Sequence, residues 1–214
     1  MVFTELREQL SEHGLSAFDI QLPGEPNDVA PLEGALRVRP DATGFVLETV
    51  DYGRGYRLGA AHSETEAAEL TLRYVTQVLP PERAITRGEI DDLVAPIAHH
   101  YFDVRDRASA AGEAGIVIDL PAGLPLDRFG ALDGVHLFPI DTPFELRSLP
   151  PHVLRPESDL HRFVTSAPLR VGAVITPPWF GRPGGGLRFT IQEPQTGIRD
   201  VVARGDLERV QLVD

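Results

Sequence analysis

Cysteine and lysine are both missing from this chain. Without a thiol there is no disulfide framework, no thiolate nucleophile and no cysteine-ligated metal. Without lysine every fixed positive charge is a guanidinium, the group suited to bidentate recognition of phosphate or carboxylate. No stretch is apolar for long enough to cross a bilayer, and no membrane partner is expected. The opening, Met1-Val2-Phe3-Thr4-Glu5-Leu6-Arg7, has no run resembling a signal peptide. The expectation is a chain made and folded in the cytoplasm, with any export following a signal-peptide-independent route. Positive charge is itself scarce: 20 Arg face 32 acidic residues, a net charge of −12, which argues against nucleic acid as a partner. A small anionic ligand held in a local arginine pocket remains compatible with that balance.

The 214 residues are 42% hydrophobic and 24% charged, enough for one good core or two small ones, and 19 Pro with 20 Gly foretell many turns and short strands. The charge is uneven. Residues 1–114 carry ten Arg against twenty acids, a balance of −10, and residues 115–214 carry ten against twelve, a balance of −2.

Phe3, Leu6 and Leu10 share one face of a helix over 3–13, stopped by Gly14. Strand patterns follow at 17–22, 35–39, 44–50 and 55–60, the last two joined by the turn Asp51-Tyr52-Gly53-Arg54. Ser63-Glu64-Thr65-Glu66 has capping-box spacing and opens a helix to about Leu79, ended by Pro80-Pro81. Thr86 and Glu89 form a second box, and apolar residues at helical spacing carry a helix over 87–107, bent at Pro96. His99 and His100 are neighbours, which on a helix point about 100° apart and chelate poorly; no metal site is expected. The small residues of 108–115 mark a boundary. The fold class is therefore α+β: a small N-terminal α-β4-α module plus a helix (1–110), then a strand-rich domain (115–214) opening with Ile116-Val117-Ile118 and holding one helical candidate, 198–204.

The most telling stretch is 177–192. Two prolines and the aromatic pair Trp179-Phe180 precede Gly184-Gly185-Gly186, where the backbone can take positive φ and approach a bound group closely. Leu187, Phe189 and Ile191 then alternate with Arg188, Thr190 and Gln192, a strand able to line a cleft with its polar face.

Four passages set this stretch in context: Leu126-Asp127-Arg128-Phe129-Gly130, the block from Leu137 to Pro151 containing Thr142-Pro143-Phe144-Glu145-Leu146-Arg147-Ser148-Leu149-Pro150-Pro151, His161-Arg162-Phe163, and Pro178-Trp179-Phe180-Gly181-Arg182-Pro183-Gly184-Gly185-Gly186. In order and spacing they resemble the TNT (tuberculosis necrotizing toxin) domain family, and Gly205-Asp206-Leu207-Glu208-Arg209-Val210 fits its close. The resemblance implies an NAD+ glycohydrolase of toxin type, with NAD+ as substrate, no further cofactor, and an inhibitor or immunity protein as partner. It implies a catalytic set of His161, Arg147 and the position of Arg188; Gln192, four residues on and on the same strand face, is the candidate to substitute there. It implies substrate contacts at Arg128, Phe129, His136, Trp179, Phe180, Gly184, Gly185 and Gly186. His136 stands where the family usually has tyrosine, and Arg188 where its Gly-Gly-Gly-x-Gln motif has glutamine. Two functions stay open: hydrolysis, or a nucleotide-binding or protein-interaction module that no longer turns over. The resemblance does not extend to residues 1–110.

Overall fold

The expected first helix runs over Val2–Glu12 (α1) and buries Leu6 and Leu10. The computed structural model describes residues 2–26, 33–154 and 160–213. The strand pattern at 17–22 shrinks to Ile20–Gln21 (β1). Asp19 accepts hydrogen bonds from the Ser16 amide and hydroxyl, both at 2.8 Å, and this local turn competes with extension. Ala35–Asp41 (β2), Gly44–Asp51 (β3) and Arg54–Ala61 (β4) complete a four-stranded sheet in the order β1-β2-β3-β4, with β1 and β2 parallel and the rest antiparallel.

Glu64–Val75 (α2) starts at the expected cap, where the Ser63 hydroxyl accepts from the Glu66 amide. It ends earlier than expected, with Thr76 as its cap, whose amide and hydroxyl both donate to the Leu72 carbonyl. α1 and α2 cover one side of the sheet, and Leu6, Leu10, Leu36, Leu47 and Leu58 fill the core between them.

A second sheet, eight-stranded among the described residues, has its own core. Its order is Arg83–Thr86 (β5), Leu207–Val213 (β12), Leu160–Thr165 (β9), Pro125–Phe129 (β7), His136–Pro139 (β8), Leu187–Ile191 (β11), Leu169–Ile175 (β10) and Ile116–Leu120 (β6). All neighbours are antiparallel except β5 and β12. β5 escapes the sequence pattern because it is four residues long and only Ile85 is buried. Pro96 divides the expected 87–107 helix into Arg87–Val94 (α3) and Ala98–Ala111 (α4), joined by a 3-10 turn at Ala95–Ile97. The Thr86–Glu89 capping box of α3 is present in full. Val104 and Ala108 of α4 belong to the second core, with Leu126, Leu137, Phe163 and Phe189. Thus β5 and all but the last residue of α4, which lie within residues 1–110, pack with the larger sheet. The single turn Phe144–Arg147 (α5) lies outside the sequence reading, being too short to show helical periodicity; the expected late helix is Ile198–Ala203 (α6), closed by Gly205 at φ 85°.

Candidate active-site cleft

The β3–β4 hairpin closes through Tyr52 and Gly53, both at positive φ, 51° and 68°. A turn of this kind follows the twist of its strands but favours Asn, Asp or Gly at its first position. Tyrosine there costs on the order of 1–3 kcal/mol and persists only where its surroundings impose it. A second turn has the same form. Trp179 and Arg182 exchange backbone hydrogen bonds at 2.9 and 3.2 Å, with Phe180 (φ 49°) and Gly181 (φ 70°) between them. The two aromatic tips meet: the Tyr52 and Trp179 rings lie 20° from parallel with centroids 6.3 Å apart, and Trp179 stacks on Phe180 at 4.3 Å.

The surroundings of Tyr52 explain its backbone. Its amide donates to the Glu33 carboxylate at 2.6 Å and its hydroxyl to the Arg147 carbonyl at 2.5 Å. The Arg188 guanidinium sits over its ring at 4.4 Å, and the His136 ring meets it edge-on at 5.2 Å. Burial of the phenol pushes its pKa up and keeps the hydroxyl a donor.

One residue earlier, buried Asp51 binds both terminal nitrogens of Arg128, at 3.2 and 3.3 Å, and accepts from the Val135 and His136 amides at 2.7 and 3.3 Å. Arg128 also donates to the carbonyls of Glu33 and His136. Its path needs glycine: a Cβ on Gly134 would stand 1.9 Å from Arg128. Burial raises the pKa of Asp51, but Arg128, His136 and the Val135 amide outweigh it and hold the carboxyl below its ordinary value. The neighbouring Glu33 behaves oppositely: burial, then repulsion from Asp51, lifts it to about 7.

Arg147 is equally enclosed. It pairs with Asp127 at 2.7 Å, donates from Nε to the Thr142 carbonyl at 2.8 Å, and lies over the rings of Phe129 and Phe138 at 5.0 and 4.8 Å. Burial outweighs the pull of Arg147 and raises Asp127 to about 6. Arg128 and Arg147 are 2% and 1% exposed, and each pairs with a carboxylate of its own chain.

The open space lies alongside. A cleft of about 870 Å³ separates the β3–β4 hairpin from the end of α4, lined by Tyr52, Arg54, Tyr56, Ser109, Trp179 and Arg188 among others; small-molecule sites typically span about 300–1,000 Å³. Behind it His136 is buried. Thr190 Oγ1 lies 2.9 Å from its Nδ1 and the Tyr56 hydroxyl 3.2 Å from its Nε2. Burial lowers its pKa to about 3; the pull of Asp51 opposes this, while Arg188 and Arg128 reinforce it. The imidazole is therefore neutral at pH 7, one ring nitrogen donating and the other accepting.

Of the residues singled out by sequence, Arg188 and Trp179 line this cleft, and Phe180 stacks on Trp179 at its rim. His136 lies against Tyr52 and Tyr56, which line it. Phe129 packs edge-on against Phe144. The triple glycine makes its close approach to protein backbone rather than to open space. A Cβ on Gly184 would stand 2.5 Å from the Thr176 carbonyl, and the Gly186 amide donates to the Leu146 carbonyl at 2.9 Å. It thereby fixes α5, which carries Arg147. Gln192 is exposed, its amide over Gly172, and does not line the cleft. His161 pairs in register with Arg128 but lines a different groove with Glu82, Arg162 and Gln211. The structure thus gathers Arg188, Trp179, Phe180 and His136 around one cleft and places His161 and Gln192 outside it.

Sequence reasoning passes over Asp51, Tyr52, Arg54 and Tyr56 as site residues, because they lie outside the stretch that carries the family resemblance. One signal was available: a bulky aromatic in a two-residue turn, the place where Asn would be expected, repeated in Trp179-Phe180-Gly181-Arg182.

Residues 119–210 match the family model described as tuberculosis necrotizing toxin, TNT. A conidial surface nicotinamide adenine dinucleotide glycohydrolase, nadA, from Aspergillus fumigatus is 35% identical over 86 residues, covering 38% of this chain and 37% of that protein. The chain thus spans well under half the length of this curated relative. A solved structure of tuberculosis necrotizing toxin complexed with its immunity factor IFT aligns at a TM-score of 0.36 and 22% identity, over 45% of this chain and 57% of that one.

Proposed function

We propose, from the premise that residues 119–210 form a TNT-like domain, that this chain hydrolyses NAD+ at the nicotinamide–ribose bond, releasing nicotinamide and ADP-ribose. The observation that carries the reading is the cleft itself. It offers a guanidinium with no carboxylate partner among the described residues, Arg188, beside an aromatic face, Trp179. A dinucleotide presents the complementary pair, a diphosphate and flat rings.

Nicotinamide leaves as a neutral molecule, so the reaction needs no strong acid. The transition state resembles the oxocarbenium ion of glycoside hydrolysis. The protein's task is to hold the diphosphate, stack a ring, orient the ribose and place a water. Arg188 supplies the charge-assisted hydrogen bonds and Trp179 the stacking surface. The Tyr56 hydroxyl, held by neutral His136, is the polar group on the cleft wall that orients the ribose or the attacking water. Arg128 and Arg147 act indirectly, by fixing the strands and the turn that frame the cleft.

The relatives' names supply two further expectations. An active NAD+ hydrolase threatens the cell that makes it, so a protein inhibitor is an expected partner, as in the toxin–immunity factor complex. Export is expected too, since the fungal relative is a surface protein.

A fluorogenic etheno-NAD+ assay with the purified chain tests the reading. Arg188→Ala removes a charge-assisted contact worth about 1.5–3 kcal/mol, so turnover should fall about 10–100-fold. Absence of turnover by the wild-type chain overturns it. A second reading, a binding module without turnover, draws on the Arg188 side chain lying over Tyr52 where the family motif has glutamine. It requires ADP-ribose binding by calorimetry with no nicotinamide released.

A further inference from the structure

The TNT-like region does not enclose the cleft alone. One wall is the tip of a hairpin from the four-stranded sheet, outside residues 119–210. We infer that this hairpin is part of the ligand site, and that Arg54 grips the ligand's anionic group together with Arg188 of the second sheet. The inference rests on the proposed NAD+ chemistry and adds a binding residue to it.

Three observations converge. First, Arg54 and Arg188 both line the cleft, come from different sheets, and make no ion pair with a carboxylate among the described residues. Most arginines in this acidic chain are paired, and two guanidinium groups that line one space without a carboxylate partner among the described residues suit a doubly charged diphosphate. Glu113, at the rim, is the carboxylate in the lining and leaves the balance positive.

Second, the hairpin is locked where it stands. The Asp51–Arg128 pair is buried on both sides (2% and 3% exposed side chains), and the Val135 and His136 amides bind the same carboxylate. The Tyr52 hydroxyl reaches the Arg147 carbonyl. Such a wall holds its contacts before the ligand arrives, which lowers the entropy cost of binding. Third, the hairpin tip is strained at Tyr52, and the facing turn is strained in the same way at Phe180. Strain of this kind clusters at ligand clamps and active sites, and here it sits at two facing aromatic tips that border one cleft. The tips meet each other, and the cleft opens beside them toward the end of α4, so the hairpin borders the cleft and does not fill it.

The test uses the full chain, with ADP-ribose as calorimetric probe and etheno-NAD+ for turnover. Arg54 is exposed at a turn, so Arg54→Ala folds, which near-ultraviolet circular dichroism checks. Arg54→Ala should weaken ADP-ribose binding about tenfold or more, the loss of a charge-assisted contact. Arg83→Ala removes the same charge from β5 and should change binding less than twofold. Arg188→Ala losing affinity while Arg54→Ala stays within twofold of wild type overturns the role of Arg54 and leaves the functional reading standing. A rise in turnover for Arg54→Ala overturns it differently, making the hairpin an inhibitory plug. Neither binding nor turnover in the wild-type chain overturns the functional reading and this inference together.

Discussion

Replacing Asp51 with alanine tests most sharply how the two sheets are joined. The change removes one side of a pair whose side chains are 2% and 3% exposed, and leaves the Arg128 guanidinium buried without a counter-charge. Breaking a buried ion pair from one side costs about 3–5 kcal/mol. The Val135 and His136 amides lose their acceptor as well. Total stability for a folded domain is about 5–15 kcal/mol, so the loss is a large fraction of it. At about 2–4 °C per kcal/mol for a chain of this size, the melting temperature should fall by roughly 6–20 °C. The lone tryptophan reports on this junction, since Trp179 lies against Tyr52, the residue after Asp51. Urea unfolding is therefore followed by Trp179 fluorescence and, in parallel, by far-ultraviolet circular dichroism. The double variant Asp51→Ala with Arg128→Ala should recover part of the loss, with a coupling energy of about 0.5–3 kcal/mol, because neither charge is then stranded. An Asp51→Ala protein within about 1 kcal/mol of wild type would refute the reasoning, since no buried guanidinium tolerates that loss of its partner.

Two pH-dependent outcomes follow from the same junction. Glu33 has a folded value of about 7, above its ordinary 4.5. Its contribution is thus fully present below pH 4.5 and lost as pH rises through 7, on the order of 3 kcal/mol. Glu33→Gln should remove that decline between pH 5 and 8 in urea titrations; an unchanged pH slope contradicts it. His136 is shifted the other way, to about 3 from 6.5, so its stabilising contribution is present above pH 6.5 and is lost as pH falls through 3. Its imidazole should give the neutral form's nitrogen chemical shifts at pH 5, and a midpoint near 6.5 contradicts the burial argument.

Much of the fold is written in local signals. The capping residues Ser63 and Thr86 set helix starts to the residue, and the alternation in 44–50 and 187–191 marks β3 and β11. What escaped was short or non-local. β5 is stabilised by parallel pairing with β12, more than a hundred residues away, and nothing in four residues announces that. The site divides along the same line. Arg188 and Trp179 could be placed at a cleft because strand alternation and turn chemistry are local. Arg128 and Arg147 were expected to face a ligand, because a sequence shows a guanidinium but not the carboxylate that engages it. Asp51 reaches Arg128 from 77 positions earlier. The one local clue to that wall of the cleft was a tyrosine in a turn built for asparagine or glycine.

The central claim is that a dinucleotide binds and is cleaved in the cleft between the Tyr52 hairpin and the end of α4, beside Trp179. A crystal structure of the full chain soaked with ADP-ribose bears on it most directly. The expected result places the diphosphate within hydrogen-bonding reach of Arg188 and a ring of the ligand against Trp179. Ligand density in the groove of His161 and Glu82, with the cleft beside Arg188 empty, would contradict it.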